Sequence, residues 1–281
     1  FCAAKPPSRK SIVLRRWNRS LSLVVSASSV RAELFGGWPK QRSIARASWL
    51  IEPTAGASRG ATIALAIDRA LALLESSGHA LKGVPVSLGL PDSLVVYDVA
   101  CGEFGALSNK RIGEIVNASI AELMQLPVNE VQTKWQLQRG GQSAVVCGIA
   151  RATLDPMRTV FEKRRMRMQS VLPAFVALWN ARRTEVRALP AIIAATRGSH
   201  ALLAAVDERG IFAIEPAQMP LVDWTAVRTL AEGFAVALGL DAELGVHYYL
   251  DVEFPVPRTS ARWRAINDPA PLAGALAGAA A

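Results

Sequence analysis

The chain has 281 residues, of which 51% are hydrophobic and 20% are charged. This composition excludes an intrinsically disordered chain and suits one large two-lobed domain or two ordinary domains. The three cysteines are too few and too scattered for a disulfide framework, which favours a reducing, cytoplasmic setting. No apolar stretch reaches the length expected of a membrane span.

The positive charge is concentrated at the two ends of the chain. Its formal net charge is +9, yet residues 1–19 hold six basic side chains and no acid, and residues 258–281 hold three arginines and one acid. The central region keeps 23 basic and 22 acidic residues. This near-neutral centre argues against a nucleic-acid-binding groove and favours a basic N-terminal arm and a flexible C-terminal tail near an anionic membrane surface.

The first predicted elements form a meander. Alternating apolar residues predict three strands over 20–26, 30–35 and 42–51. A helix with one apolar face over 62–76 and a strand over 84–90 follow. This first unit therefore has the order βββαβ.

An inserted subdomain is predicted over residues 94–142. Its pattern is a short strand, a helix capped by Ser108 and a strand near 131–139. A glycine turn then leads into an apolar strand over 143–150, which is typical of a buried central strand. Asp155 and Pro156 next predict a helix start, with Asp155 as the N-cap and Pro156 at the first position. A short strand over 170–173 and a helix over 174–183 complete this part.

The last third repeats the opening order. Three strands over 190–216 form a second meander, Asp223 caps a helix, and residues 246–254 form the closing strand. The duplication predicts a first lobe over 20–185, which contains the insertion, and a second lobe over 186–257. Residues 1–19 are the basic arm, and residues 258–281 are the tail.

Each lobe opens on an apolar strand, a turn of small residues and another strand. Both hairpins resemble the phosphate-binding hairpins of the actin, hexokinase and Hsp70 superfamily, whose two halves begin in this way. The resemblance implies a ribonuclease H-like, actin-like α/β fold with the duplicated order βββαβα. In that family the turn carries an aspartate and then a glycine. Here Ser26 and Ser28 replace both in the first turn, Ala195 or Thr196 takes the aspartate position in the second, and Gly198 is retained.

The resemblance implies a degenerate nucleotide site rather than an active one. Its candidate residues are Ser26, Ser28, Ser29, Thr196, Arg197, Gly198 and Ser199. Because a neutral hydroxyl replaces the carboxylate that would support magnesium, we expect no ATP hydrolysis and no tight ATP binding. Weak binding of ATP with magnesium remains an alternative.

No catalytic residue and no metal site is expected. The three histidines lack metal-ligand spacing. Asp92, Asp98 and Glu103 follow the strand after which sugar kinases place a catalytic base, but we interpret them as solvated loop acids. Cys147 lies in an apolar run and is interpreted as a buried, inert thiol.

The middle of the chain resembles one subfamily more closely. The segment Leu90-Pro91-Asp92-Ser93, the helix end at Leu126-Pro127 and the following Trp135 look like PilM of type IV pili and GspL of type II secretion. That resemblance implies a non-catalytic cytoplasmic scaffold, peripheral to the inner membrane, in a pilus or secretion platform. Its partner would be a short cytoplasmic peptide of a bitopic membrane protein, or the assembly ATPase. We expect the peptide in a groove of the first lobe beside residues 94–142.

Two other classes remain as alternatives. One is a diverged ATP-dependent small-molecule kinase of the same superfamily, which the missing carboxylates disfavour. The other is a nucleic-acid-binding module, which the near-neutral centre disfavours.

Overall fold

The computed structural model describes residues 19–37, 41–219, 223–240, 245–252, 254 and 262–266. The chain divides into two compact units. The first contains the described residues up to Leu90 together with Ala152–Ala177, and the second contains Pro91–Arg151 and the described residues from Leu178 onward.

The described residues contain thirteen strands and five α-helices. The strands are β1 (Ser20–Val25), β2 (Ser29–Gly36), β3 (Arg42–Leu50), β4 (Pro85–Leu90), β5 (Val96–Cys101), β6 (Val131–Leu137), β7 (Ser143–Ala150), β8 (Arg167–Pro173), β9 (Ala191–Arg197), β10 (His200–Asp207), β11 (Gly210–Gln218), β12 (His247–Asp251) and β13 (Trp263–Ala265). The helices are α1 (Arg59–Ser76), α2 (Asn109–Met124), α3 (Arg151–Lys163), α4 (Ala174–Arg182) and α5 (Trp224–Ala237).

The first sheet has the order β3-β2-β1-β4-β8. Strands β1, β2 and β3 are antiparallel neighbours, while β4 pairs in parallel with β1 and with β8. Helix α1 begins after Ser58, whose side chain accepts a hydrogen bond from the Ala61 N–H at 3.2 Å. Its apolar face buries Ile63, Ile67 and Leu71.

The second sheet repeats this arrangement with the order β11-β10-β9-β12-β13. Strands β9, β10 and β11 are antiparallel neighbours, and β12 pairs in parallel with β9 and with β13. Helix α5 packs Val227, Ala231 and Phe234 into the core of this sheet. The side chain of Asp223 caps the helix by accepting from the Ala226 N–H at 2.8 Å. Two sheets with one strand order confirm the predicted duplication.

The insertion predicted over 94–142 supplies β5 and β6 to a third, three-stranded antiparallel sheet with the order β5-β7-β6, whose central strand β7 lies just beyond the predicted bound. Helix α2 covers one face with buried Ile112, Val116 and Ile120. Two side chains join this sheet to the β10–β11 turn within the second unit. Gln138 Oε1 accepts from the Ile211 N–H at 3.1 Å, and the Arg209 guanidinium donates to Gln142 at 2.9 Å.

The predicted start of α3 is wrong. The helix begins at Arg151, and Pro156 lies inside it rather than at its first position. Leu154 is fully buried, so packing holds the first turn in the helical conformation despite the hydrogen bond that Pro156 cannot donate. Asp155 forms an ion pair with Arg158 at 3.1 Å.

Strand β13 lies within the predicted flexible tail, so that prediction is wrong for residues 263–265. Trp263 is opposite Tyr248 in the β12–β13 pair, and their rings stack with centroids 4.0 Å apart. Trp224 meets Trp263 edge to face at 5.0 Å. Trp263 therefore packs within the fold, although it lies in the segment predicted to be the tail. The N-terminal arm, apart from Arg19, lies outside the described residues.

Candidate functional site

The first hairpin turn, between β1 and β2, forms hydrogen bonds within itself. Ser26 Oγ accepts from the Ser29 N–H and donates to the Ser29 carbonyl oxygen, each at 3.0 Å. The Ser26 N–H donates to the same carbonyl at 2.8 Å. The Ser28 carbonyl accepts from the Ile51 N–H at 2.8 Å. A turn closed by a side-chain hydroxyl in this way is typical of serine. Its hydrogen bonds occupy the hydroxyl and the N–H of Ser26, the groups that a phosphate at this position would need.

The second hairpin turn, between β9 and β10, is shorter than the first. Arg197 pairs with His200, so only Gly198 and Ser199 form the turn, whereas Val25 pairs with Val30 across four residues. Gly198 has φ = +57°, which suits a glycine at the first position of a two-residue hairpin turn. The geometry of the turn is therefore enough to account for the retained glycine at position 198.

Arg197 is the one cation among the predicted nucleotide-site residues, and Asp251 neutralises it. Its guanidinium forms an ion pair with the Asp251 carboxylate and also donates to the Asp251 carbonyl oxygen at 3.3 Å. It donates to the Thr196 carbonyl oxygen at 2.6 Å as well. The side chain of Asp251 is 13% exposed and that of Arg197 is 32% exposed, so much of the pair is shielded from water.

Thr196 is fully buried, and its hydroxyl has no hydrogen-bond partner among the described residues. Ser199 is exposed, and its carbonyl accepts from the Met219 N–H at 2.8 Å. The two turns belong to separate compact units, with Ser26 in the first and Thr196 in the second. The predicted residues thus belong to two separate hairpins, one in each unit.

Asp251 was not among the residues predicted from the sequence. It stands at the carboxyl end of β12, opposite Ala195 of β9 in a parallel pair. In a duplicated fold the closing strand of the second lobe is expected beside its first strand, and the carboxyl ends of parallel strands meet at one edge of the sheet. An acid at the end of the predicted closing strand was therefore the available signal.

The acids after β4 are not all solvated. Asp92 accepts a hydrogen bond from the Tyr97 hydroxyl, and Asp98, on strand β5, accepts from the Ser119 hydroxyl at 2.8 Å. Burial and the neighbouring Asp92 carboxylate raise the pKa of Tyr97 well above its usual range. The interpretation of Asp92 and Asp98 as solvated loop acids is wrong, since both hold local structure, whereas Glu103 is exposed.

An open cleft of about 450 Å³ lies on the inserted sheet, between helix α2 and strand β6. The residues that line it include Gly113, Asn117, Thr133, Lys134, Trp135 and Arg151. Asn117 Oδ1 accepts from the Thr133 hydroxyl, which leaves the amide hydrogens of Asn117 as donors. Gly113 has no side chain at the helix surface that faces the Trp135 indole. The cleft therefore combines an aromatic wall with several hydrogen-bond donors.

Among the described residues, no group of three or more His, Cys, Asp and Glu side chains is arranged to hold a metal ion. In the part of the chain that the structure describes, no helix is both long and apolar enough to cross a membrane.

Comparison with solved structures shows an actin-like fold. The chain is similar to the cytoplasmic domain of EpsL, an inner-membrane component of the type II secretion system of Vibrio cholerae. The TM-score is 0.53 at 14% identity, over 93% of this chain and 95% of that one. A Bacteroides thetaiotaomicron protein of unknown function with an actin-like ATPase fold gives a TM-score of 0.57 at 8% identity, over 93% and 96% of the two chains.

A third similar structure is the PilM–PilN type IV pilus biogenesis complex. Its TM-score is 0.52 at 14% identity, over 82% of this chain and 80% of the matched one. No protein-family model matches the sequence, and no curated protein matches it significantly. The likeness is thus one of fold over nearly the whole chain, and it confirms the predicted PilM-like and GspL-like architecture.

Proposed function

We propose that this chain is a non-catalytic, actin-like scaffold of a pilus or secretion assembly platform at the inner membrane. The observation that carries the proposal is the state of the two hairpin turns in a chain with an actin-like fold. The first turn is closed by Ser26, and the cation of the second turn is neutralised by Asp251. Neither turn offers a carboxylate free to hold magnesium beside a phosphate, which phosphoryl transfer requires.

The similar structures support the setting. EpsL is an inner-membrane component of a type II secretion system, and PilM forms a pilus biogenesis complex with PilN. We infer that this chain is likewise a cytoplasmic protein peripheral to the inner membrane. Its partner would be a short cytoplasmic peptide of a bitopic membrane protein, with the assembly ATPase as a second partner. The cleft of the inserted subdomain, between α2 and β6, is the proposed peptide site.

Titration calorimetry of the full chain tests the partner. The titrant is the synthetic cytoplasmic tail of the bitopic membrane protein encoded beside it, and a scrambled tail of the same composition is the control. Micromolar binding of the native tail alone supports the proposal. If the native tail does not bind at high micromolar concentration, the scaffold assignment loses its partner and fails.

A second experiment tests the alternative of a diverged kinase. Magnesium ATP should leave the thermal midpoint of the chain nearly unchanged, and phosphate release should equal that of buffer. Ser26→Ala should behave like the parent chain in both assays. Sub-micromolar ATP binding would contradict the scaffold proposal and favour a diverged kinase. Phosphate release that Ser26→Ala abolishes would do the same.

The basic termini are proposed to strengthen recruitment to an anionic membrane. Each basic residue near such a surface contributes about 1 kcal/mol. Removal of residues 1–19 should therefore weaken binding to vesicles that contain phosphatidylglycerol, and unchanged binding would refute this part.

Binding to duplex DNA that is weak and lost at moderate salt would agree with the absence of a nucleic-acid site.

A further inference from the structure

We propose that the cleft between α2 and β6 binds an extended, acidic peptide segment, which adds to the inserted sheet as a fourth strand beside β6. This inference rests on the proposed function, because it gives the chemistry and the binding mode of the partner peptide.

Strand β6 is an edge strand. It pairs with β7 on one side, and no described strand pairs with its other side. The cleft follows this outer side, since residues from both faces of β6, such as Thr133 and Lys134, line it. A sheet edge beside a helix is a recurring place for an extended peptide to bind by strand addition.

The register identifies the backbone groups that face the cleft. The Gln138 N–H donates to the Ser143 carbonyl at 2.9 Å, at the end of the β6–β7 hairpin. Inward and outward groups alternate along antiparallel strands, and the β6–β7 register is continuous. Lys134 therefore directs its N–H and C=O toward β7, while Thr133 and Trp135 direct theirs outward. Both of these residues line the cleft, so an added strand would find two donors and two acceptors there.

The charge of the cleft selects the peptide. Lys134 and Arg151 line it, and no acidic residue does. Neither cation forms an ion pair with a described residue, and both are exposed. The Asn117 amide supplies further donors. A peptide carboxylate is the complementary group, while the Trp135 indole offers an aromatic surface to an apolar side chain.

The test begins with selection of random twelve-residue peptides on the full folded chain. We expect enrichment of proline-free sequences with an aspartate or glutamate at a constant place among alternating apolar residues. The best peptide is then titrated into the chain, and binding is followed by the change in tryptophan fluorescence to which Trp135 contributes. Lys134→Glu and Arg151→Glu should each weaken its binding at least 10-fold, and a peptide with lysine in place of its acid should regain affinity for one of these variants. Lys110→Glu, on the exposed surface of α2 outside the cleft lining, is the matched control and should change nothing.

Strand addition has its own readout. Methylation of alternate backbone nitrogens of the peptide should abolish binding when it removes the donors that face β6, and should be tolerated in the other register. Any of four results would overturn this inference. They are the selection of peptides without acids, the selection of no binder, equal binding by the charge-reversed variants, and tolerance of both methylation sets. If the native partner tail still binds the parent chain and both charge variants equally, the proposed function stands and only the inference fails.

Discussion

Arg197 and Asp251 are 54 positions apart in the chain and form a shielded ion pair across the parallel strands β9 and β12. The pair joins the second hairpin turn to the end of the closing strand. Within this pair, Asp251 neutralises the Arg197 cation that a bound phosphate would otherwise contact.

Asp251→Asn should destabilise the chain, because it leaves the partly buried Arg197 guanidinium without its counter-charge. We expect a loss of about 1–3 kcal/mol, less than for a completely buried pair. Glu232→Gln is the matched control, since it breaks the exposed pair with Arg228 and should cost about 0.5 kcal/mol or less. Urea unfolding of the three proteins measures both effects. An equal cost for the two substitutions would show that the Arg197–Asp251 pair is only a surface contact.

Gly60→Ala and Gly233→Ala should have opposite effects, although both glycines lie in helices. A Cβ at position 60 would lie 2.6 Å from the Thr153 carbonyl oxygen, which belongs to the backbone and cannot turn away. We expect a cost of about 1–3 kcal/mol. A Cβ at position 233 meets nothing within 4 Å, so alanine should stabilise α5 by about 1 kcal/mol. Thermal unfolding compares the two, and a stabilising Gly60→Ala would contradict the close approach of α1 and α3.

Gly148→Ala should overpack the interface between β7 and α2. The added Cβ would lie 2.2 Å from Ile120 Cγ2, and Ile120 is fully buried. We expect a cost of about 1–3 kcal/mol. Ile120→Ala removes the clashing methyl at its own cost of about 2–5 kcal/mol. The double variant should therefore lose less than the sum of the two single costs. Strict additivity in a double-mutant cycle would argue against this contact.

Cys147 should react far more slowly than Cys101 with a thiol reagent. Burial raises the pKa of Cys147 from 9.0 to about 11, whereas Cys101 is exposed. The thiolate is the reactive form, so at pH 8 peptide-level mass spectrometry should find iodoacetamide on Cys101 well before Cys147.

The same raised pKa predicts how stability changes in alkali. The folded state holds the neutral thiol more firmly than the unfolded state does, so this contribution is complete below pH 9 and is lost as the pH rises through about 11. Cys147→Ala should remove that part of the alkaline loss. An unchanged alkaline profile in the variant would exclude Cys147 as its source.

Much of the fold could be predicted from the sequence, because it depends on local patterns. Alternation in β1 and β2 and apolar runs in β9 and β10 identified both meanders, and the caps Ser108 and Asp223 identified the starts of their helices. Strand period and helix capping are properties of a few neighbouring residues, so they are readable without a structure. The repeated order of elements then indicated the duplicated fold.

The site depended on contacts that no local pattern contains. The pairing of Arg197 with Asp251 requires β9 and β12 to be neighbours, and the cleft requires β6 to be the edge of its own sheet. The early start of α3 likewise reflects the burial of Leu154 rather than the cap signal at Asp155. Local propensities are worth about 1 kcal/mol per residue or less, and the burial of one large apolar side chain is worth more. The sequence by itself therefore determined the elements and their repetition, whereas the tertiary structure decided which charges are neutralised and which strand edge is left open.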